Sequence, residues 1–282
     1  MPSKKRRKPT TRSPSLRVRV QLLLVVIGLL VAIWQVGRWI HPPVPIHLDF
    51  RQMRVLARPM KPLLDLIGSV EGDYHSVNRG RAGDSPGDWA HTHLGRSITD
   101  MTLDELRSHQ GGSNRACWHR GVAGDAGLFA VGRYQLVPCT LAGAVRRVEG
   151  LELDLTYDKD TQDALAVYLL LMKRRRLGAW LLGQTDDYTR AAQELAKEFA
   201  SMPIQTAHRH CSPGQSYYCG DHAGNAALVP LEAVEVAMRE SRAALGRDPW
   251  AREVIGAAEG PRGHLRRHTR MWWRGVKARW AE

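Results

Sequence analysis

The sequence has no internal repeat, only four cysteines, and a single apolar run long enough to cross a bilayer. Without a repeat, a solenoid or propeller of stacked units is excluded. The four cysteines (Cys117, Cys139, Cys211 and Cys219) allow three full pairings. Cys211 and Cys219, clustered with His208, His210 and His222, match none of the usual zinc spacings, so no metal is expected. A Cys211–Cys219 bridge across a Gly- and Pro-bearing loop is the simpler expectation, favoured by an oxidising compartment. Acidic residues are in deficit, 28 against 41 Lys and Arg, which leaves a net charge of +13 and calls for a polyanionic neighbour. Nucleic acid, anionic lipid and acidic cell-wall polymers all fit that charge. A hydrophobic content of 43% excludes a disordered chain.

The positive charge gathers at the two ends. Lys4, Lys5, Arg6, Arg7, Lys8, Arg12, Arg17 and Arg19 precede the apolar run 20–39, which is broken by Gln21, Gln35, Gly37 and Arg38. About 20 such residues span the hydrocarbon layer as a helix. A cleaved signal would end in a small-x-small site, whereas this run leads into Trp34, Trp39 and Ile40, residues suited to a membrane interface. A retained single-pass anchor is the expectation, with the basic N-terminus in the cytoplasm and everything after about Pro42 exported. At the other end, the stretch 262–281 mixes Arg and Lys with Trp272, Trp273 and Trp280, a composition suited to anionic lipid surfaces.

These features divide the chain into a basic tail (1–19), an anchor (20–40), a linker with Pro42, Pro43 and Pro45 (41–59), a globular domain (60–245) and a basic, Trp-rich tail (246–282). Pro62 suits a first helical turn; Leu63, Leu64, Ile67 and Val70 then recur at helical spacing until Gly72. Residues 74–98 are too polar and aperiodic for a core and read as a loop or small β lobe. Helices resume with a Thr102/Glu105 capping box, then over 140–148, 161–176, 187–200 and 231–245. The nine apolar residues 164–172 are too few to span a membrane and predict a buried core helix. The expected class is therefore α+β, mainly helical, with one small irregular lobe.

Glu71 is the candidate for chemistry. It follows Ile67 by four residues and Leu64 by seven, and so projects from the apolar face of its helix. A carboxyl at the edge of a core is partly desolvated, keeps its proton toward neutrality, and can protonate a glycosidic oxygen. The competing reading is an ordinary carboxylate at a frayed helix end.

A second segment favours the chemical reading. Gly132-Arg133-Tyr134-Gln135-Leu136-Val137-Pro138-Cys139-Thr140-Leu141 resembles a signature of lytic transglycosylases with the lysozyme-like fold, most closely the lambda-endolysin-like family. Ile67-Gly68-Ser69-Val70-Glu71-Gly72 is similar to that family's catalytic Ser-Glu-Gly region. Thr161-Gln162-Asp163-Ala164 and Ala200-Ser201-Met202-Pro203 echo two further runs in the same order. The resemblance covers roughly 63–238. It implies a helical lysozyme-like domain with a small β region after the catalytic helix. It further implies Glu71 as the acid, and Tyr134 and Gln135, with Arg133 beside them, as groups lining a sugar-binding cleft. Tyr217 and Tyr218 fit a cleft wall, since tyrosine rings stack on sugar faces. The lobe after Glu71, the cysteines, the anchor and the basic tail depart from the family pattern.

The expectation is then a membrane-anchored enzyme, its N-terminus cytoplasmic and its catalytic domain periplasmic, cleaving peptidoglycan glycan strands without a cofactor. A muramidase is the alternative, needing a second carboxylate that Asp73, Asp84 or Asp88 could supply. A non-catalytic wall-binding component of an envelope-spanning apparatus is another. A DNA-associated membrane protein fits the charge but not the exported compartment, so no nucleic acid is expected. Asp125 and Asn225 receive no role.

Overall fold

A computed structural model describes residues 27–29, 45–80, 83–111, 127–221 and 224–258. The chain divides into two compact units, 1–42 and 43–282. In the first, only residues 27–29 are described, and they are helical. The anchor (20–40) thus lies almost wholly outside the described residues, as do Cys117, Asp125, His222 and the stretch 262–281. Among the described residues no helix is long and apolar enough to cross a membrane.

Among its described residues the second unit is mainly helical with one two-stranded sheet, an α+β arrangement. Its first helix, α1 (Phe50–Ala57), falls where a linker was expected. Asp49 caps it by accepting from Gln52 N at 2.7 Å, and Gln52 Oε1 accepts from Asp49 N at 3.0 Å. That reciprocal cap, with Met53 and Leu56 buried, makes the segment part of the core. The three upstream prolines disguised it as a spacer.

Helix α2 (Lys61–Glu71) forms as expected, with Pro62 in its first turn and Gly72 closing it through a 3.3 Å bond to Gly68 O. Leu63, Leu64 and Ile67 are buried, each contributing on the order of 1.5–3 kcal/mol through burial. The start of α2 has no cap of its own. Buried Ser241, from a helix 178 residues away in sequence, accepts from Leu63 N at 3.0 Å and donates to Met60 O at 3.3 Å.

The polar stretch after α2 holds strand β1 (Val77–Asn78), short helix α3 (Trp89–Leu94) and a 3₁₀ turn (Ile98–Asp100). Helix α4 (Leu103–His109) carries the Thr102/Glu105 capping box. Strand β2 (Ala130–Val131) pairs antiparallel with β1, Val77 opposite Val131. Helix α5 (Pro138–Val145) follows at once.

The helix expected over 161–176 is three pieces: α6 (Lys159–Val167), a π-helix (Tyr168–Lys173) and α7 (Arg175–Leu181). Its apolar residues are buried as expected, but the chain bends at Arg174. Gly178 explains why the bend can close, since a Cβ there would lie 2.3 Å from Leu171 O. Helices α8 (Tyr188–Glu198) and α9 (Leu231–Arg247) complete the body. Residues 249–258 are helical too, with Ala251 and Ile255 buried, so the folded region runs past the boundary expected at 245. Asp248 starts that last helix by accepting from Ala251 N at 3.0 Å, and it pairs with Arg58 at 2.7 Å.

Candidate functional site

Glu71 ends α2, at the edge of the buried stripe that carries Ile67 and Leu64. Its Oε1 accepts from Ser201 Oγ and from Ser201 N, the latter at 3.4 Å. Burial raises the carboxyl above the ordinary Glu range, and the two Ser201 donors oppose that rise without cancelling it.

Ser201 is itself firmly placed. The carbonyl before it, Ala200 O, accepts from buried Ser216 Oγ at 2.6 Å, and its own carbonyl accepts from Leu228 N at 2.8 Å. Two loops therefore clamp the peptide units on either side of the hydroxyl that meets Glu71. In the sequence, Ala200–Pro203 stands out only as an echo of a family run. No spacing could assign Ser201, because its partner is 130 residues away.

Gly132 to Gln135 form the turn of a miniature hairpin, closed by reciprocal backbone bonds between Val131 and Leu136 at 3.2 and 2.9 Å. Gly132 has φ +72°, and its N–H donates to Ser76 O at 2.7 Å, joining the turn to the loop after Glu71. Gln135 adopts φ +46°, uncommon for a residue with a side chain. Its amide donates to Gly132 O at 3.0 Å and stands 3.4 Å from where a Cβ on Gly72 would be. Gln135 thus sits against the residue next to Glu71.

Arg133 lies across α2 over Gly68, where a Cβ would come within 2.1 Å of Nε. It pairs with Asp65 at 3.0 Å, and its guanidinium is 5.0 Å from the Tyr74 ring centroid. Tyr134 is placed differently from a cleft-lining residue. It is 2% exposed, and its hydroxyl donates to Asp163 Oδ1 at 2.6 Å. It braces the turn from inside, and the exposed part of the turn belongs to its neighbours.

Tyr74, which carries no motif in the sequence, donates to the same Asp163 oxygen at 3.0 Å. Burial, then the negative charge of Asp163, push the Tyr74 phenol up to about 12, so it remains a donor. Burial raises Asp163 as well, opposed by the two phenols. The adjacent Gln162 is fully buried: Oε1 accepts from Arg133 N at 2.9 Å, while Nε2 donates to Tyr74 O at 3.0 Å and Tyr157 O at 3.1 Å. The Thr161–Ala164 run therefore fixes the turn and the post-Glu71 loop to each other.

Tyr217 and Tyr218 stand on the Ser201 side. Tyr217 stacks on His208 with centroids 4.1 Å apart. Tyr218 is 38% exposed and donates to Lys197 O at 2.7 Å. Their link to Glu71 runs through Ser216, Ala200 and Ser201. Cys211 and Cys219 form the expected disulfide within this loop. His210 lies beside them, but bonded sulfurs are not thiolate ligands.

The three further carboxylates are all committed to local structure. Asp73 accepts from His75 N at 2.8 Å and Ser76 Oγ at 3.0 Å. Asp84 accepts from Arg79 N at 2.9 Å and Ser85 Oγ at 2.8 Å. Asp88 caps α3 through His91 N at 3.0 Å and also accepts from Ser97 Oγ. A separate polar hollow along α8, lined by Arg176, Arg190, Gln193 and Lys197 among others, does not include Glu71. Comparison with protein-family models, with curated proteins and with solved structures gives no match for this chain.

Proposed function

We propose that the chain is a peptidoglycan lytic transglycosylase with a lysozyme-like domain, acting from a single-pass inner-membrane anchor on glycan strands in the periplasm. The observation that carries the reading is the Glu71 carboxyl: raised by burial, it sits beside the Gly132–Gln135 turn whose sequence suggested a sugar cleft. A carboxyl that keeps its proton near neutrality is suited to general acid catalysis. It protonates the oxygen joining N-acetylmuramic acid to the next sugar, the C1–O bond breaks, and its electron pair stays on the leaving oxygen. The muramic C6 hydroxyl then attacks C1 and returns its proton to the Glu71 carboxylate, leaving a 1,6-anhydro ring.

This route needs one carboxyl, whereas a muramidase needs a second as base or nucleophile. The turn and cap duties of Asp73, Asp84 and Asp88 favour the single-carboxyl chemistry. Gln135 and Arg133 on the turn, with Tyr217 and Tyr218 across Ser201, would contact the strand. The basic tail would lie on anionic lipid.

Mass spectrometry of purified sacculi digested with the chain is the test. Fragments ending in anhydromuramic acid are expected; reducing muramic ends would make it a hydrolase, and no release of fragments would reject the enzymatic reading. For topology, a reporter active only in the periplasm, fused after Glu282, is expected to be active. Activity of a cytoplasm-only reporter at the same point would reverse the orientation.

A further inference from the structure

We propose that Ser201 is a positioning residue that decides which oxygen of the Glu71 carboxyl carries the transferable proton, reserving Oε1 as acceptor and Oε2 as donor. This rests on the glycan-cleaving reading of Glu71 and adds to it the orientation of the acid.

Both donors of Ser201, the hydroxyl and the backbone N–H, fall on the same oxygen, Oε1. A protonated oxygen cannot easily accept two hydrogen bonds from groups that also approach it as donors, so the neutral acid places its proton on Oε2. Among the described residues no donor meets Oε2. That oxygen is thus left to face a substrate oxygen, and the carboxyl has one productive orientation instead of two.

The geometry is imposed rather than adopted by chance. Ser201 is 5% exposed, and its peptide is anchored on both sides by Ser216 Oγ and Leu228 N. The backbone that carries the hydroxyl is therefore held in place beside Glu71. The charged groups on neighbouring elements do not compete for the role. Asp65 on α2, Asp73 in the following loop, Arg133 on the turn, and Lys197 and Glu198 ahead of Ser201 are the charged groups on the surrounding elements, whereas the raised carboxyl of Glu71 has burial and the two Ser201 donors as its causes.

The same arrangement serves both halves of the reaction. When the proton leaves Oε2 for the glycosidic oxygen, the new negative charge is shared with Oε1, where Ser201 stabilises it through charge-assisted hydrogen bonds. The bare Oε2 is then the base that takes the proton from the C6 hydroxyl as the C6–O–C1 bond forms. A donor on Oε2 would have blocked both steps.

The test reads Glu71 directly. The full chain, solubilised in detergent with ¹³C-labelled glutamate, is titrated by NMR, the Glu71 carboxyl resonance being identified by its loss in Glu71→Gln. In Ser201→Ala a donor that favours the ionised form is gone, so the Glu71 midpoint is expected to move upward. Ser201→Thr keeps the hydroxyl and is expected to restore the wild-type midpoint. On glycan strands, Ser201→Ala is expected to lose on the order of ten-fold in kcat, about the worth of one hydrogen bond to a charged group. The alkaline limb of its pH profile is expected to move up with the NMR midpoint. A serine with a merely structural role would lower the melting temperature and leave the midpoint where it was, and that outcome overturns the proposal. Should Ser201→Ala not fold, the Thr variant decides: a midpoint displaced despite the hydroxyl overturns it as well. Failure of the wild-type chain to release any fragment rejects the enzymatic reading, and with it a proton-donating Oε2, whatever the titration shows.

Discussion

Replacing Glu71 with Gln is expected to cut glycan cleavage by about 10²–10⁴-fold or more, with the fold intact. The amide keeps the shape of the side chain, and its oxygen still accepts from Ser201, but it has no acidic proton to give and no carboxylate to take one back. In the proposed reaction a single carboxyl serves as acid and then base, so both steps are expected to fail together, which puts the loss at the upper end of that range. Stability should change in the opposite direction. Burial raises the folded-state titration of Glu71 above its unfolded value. The neutral form is therefore favoured by the fold, and that contribution is fully present below the ordinary Glu range. It is lost as pH rises through the raised folded value. The Gln variant has no such loss, so near and above that value it is expected to melt no lower than the wild type. Fragment release from sacculi and thermal melts across pH measure the two effects. Near-normal turnover in Glu71→Gln would end the catalytic reading.

The second large effect concerns the turn. Gly132→Ala is expected to cost about 3–5 kcal/mol, and Gly214→Ala only about 1–2. Both glycines have positive φ, +72° and +88°, so both substitutions carry the backbone cost. At Gly214 an added Cβ meets nothing within 4 Å. At Gly132 it would lie 2.3 Å from Gln162 Oε1 and 2.6 Å from Tyr157 Oη, and both residues are fully buried. Moving Gln162 aside would break its bonds to Arg133 N, Tyr74 O and Tyr157 O together. Denaturant unfolding of the two variants measures the difference, and equal costs would mean that the turn can shift freely against α6.

The parts of this fold that were legible in the sequence are those that depend on neighbours in the chain. Pro62, the Leu63/Leu64/Ile67 stripe and Gly72 specify α2 locally, and Thr102 with Glu105 specifies the start of α4. The Cys211–Cys219 bridge spans only eight residues and was the simpler of the readings open for that loop. Legibility failed where tertiary contacts override local pattern. An unbroken helix was expected over 161–176, because nine apolar residues carry no sign that Gly178 will pack against Leu171. Phe50–Ala57 was hidden behind its prolines. Within the candidate site, Glu71 and the turn could be picked out, but not what connects them. Tyr134 was expected at a sugar face, yet its phenol is turned inward to Asp163, a partner 29 residues on. Tyr74 gave no local signal and Ser201 only that of a family run, since a hydroxyl is recognisable as a partner only once the fold has brought it to a carboxylate.

The contacts that finish α2 come late in the chain. Its first turn is completed by Ser241, its last residue by Ser201, and the helix before it is tied to Asp248 through Arg58, 190 residues away. The closure entropy of such loops grows only slowly with length, so the final structure loses little by it. The order of assembly is another matter. During synthesis from the N-terminus, Glu71 emerges well before Ser201, the residue that holds it. Domains rich in distant contacts fold slowly for this reason. A nascent or truncated chain that stops short of residue 201 carries the carboxyl but not its clamp. Under the proposed function an intact C-terminal third is a condition for cutting, and a chain that lacks it has no organised acid.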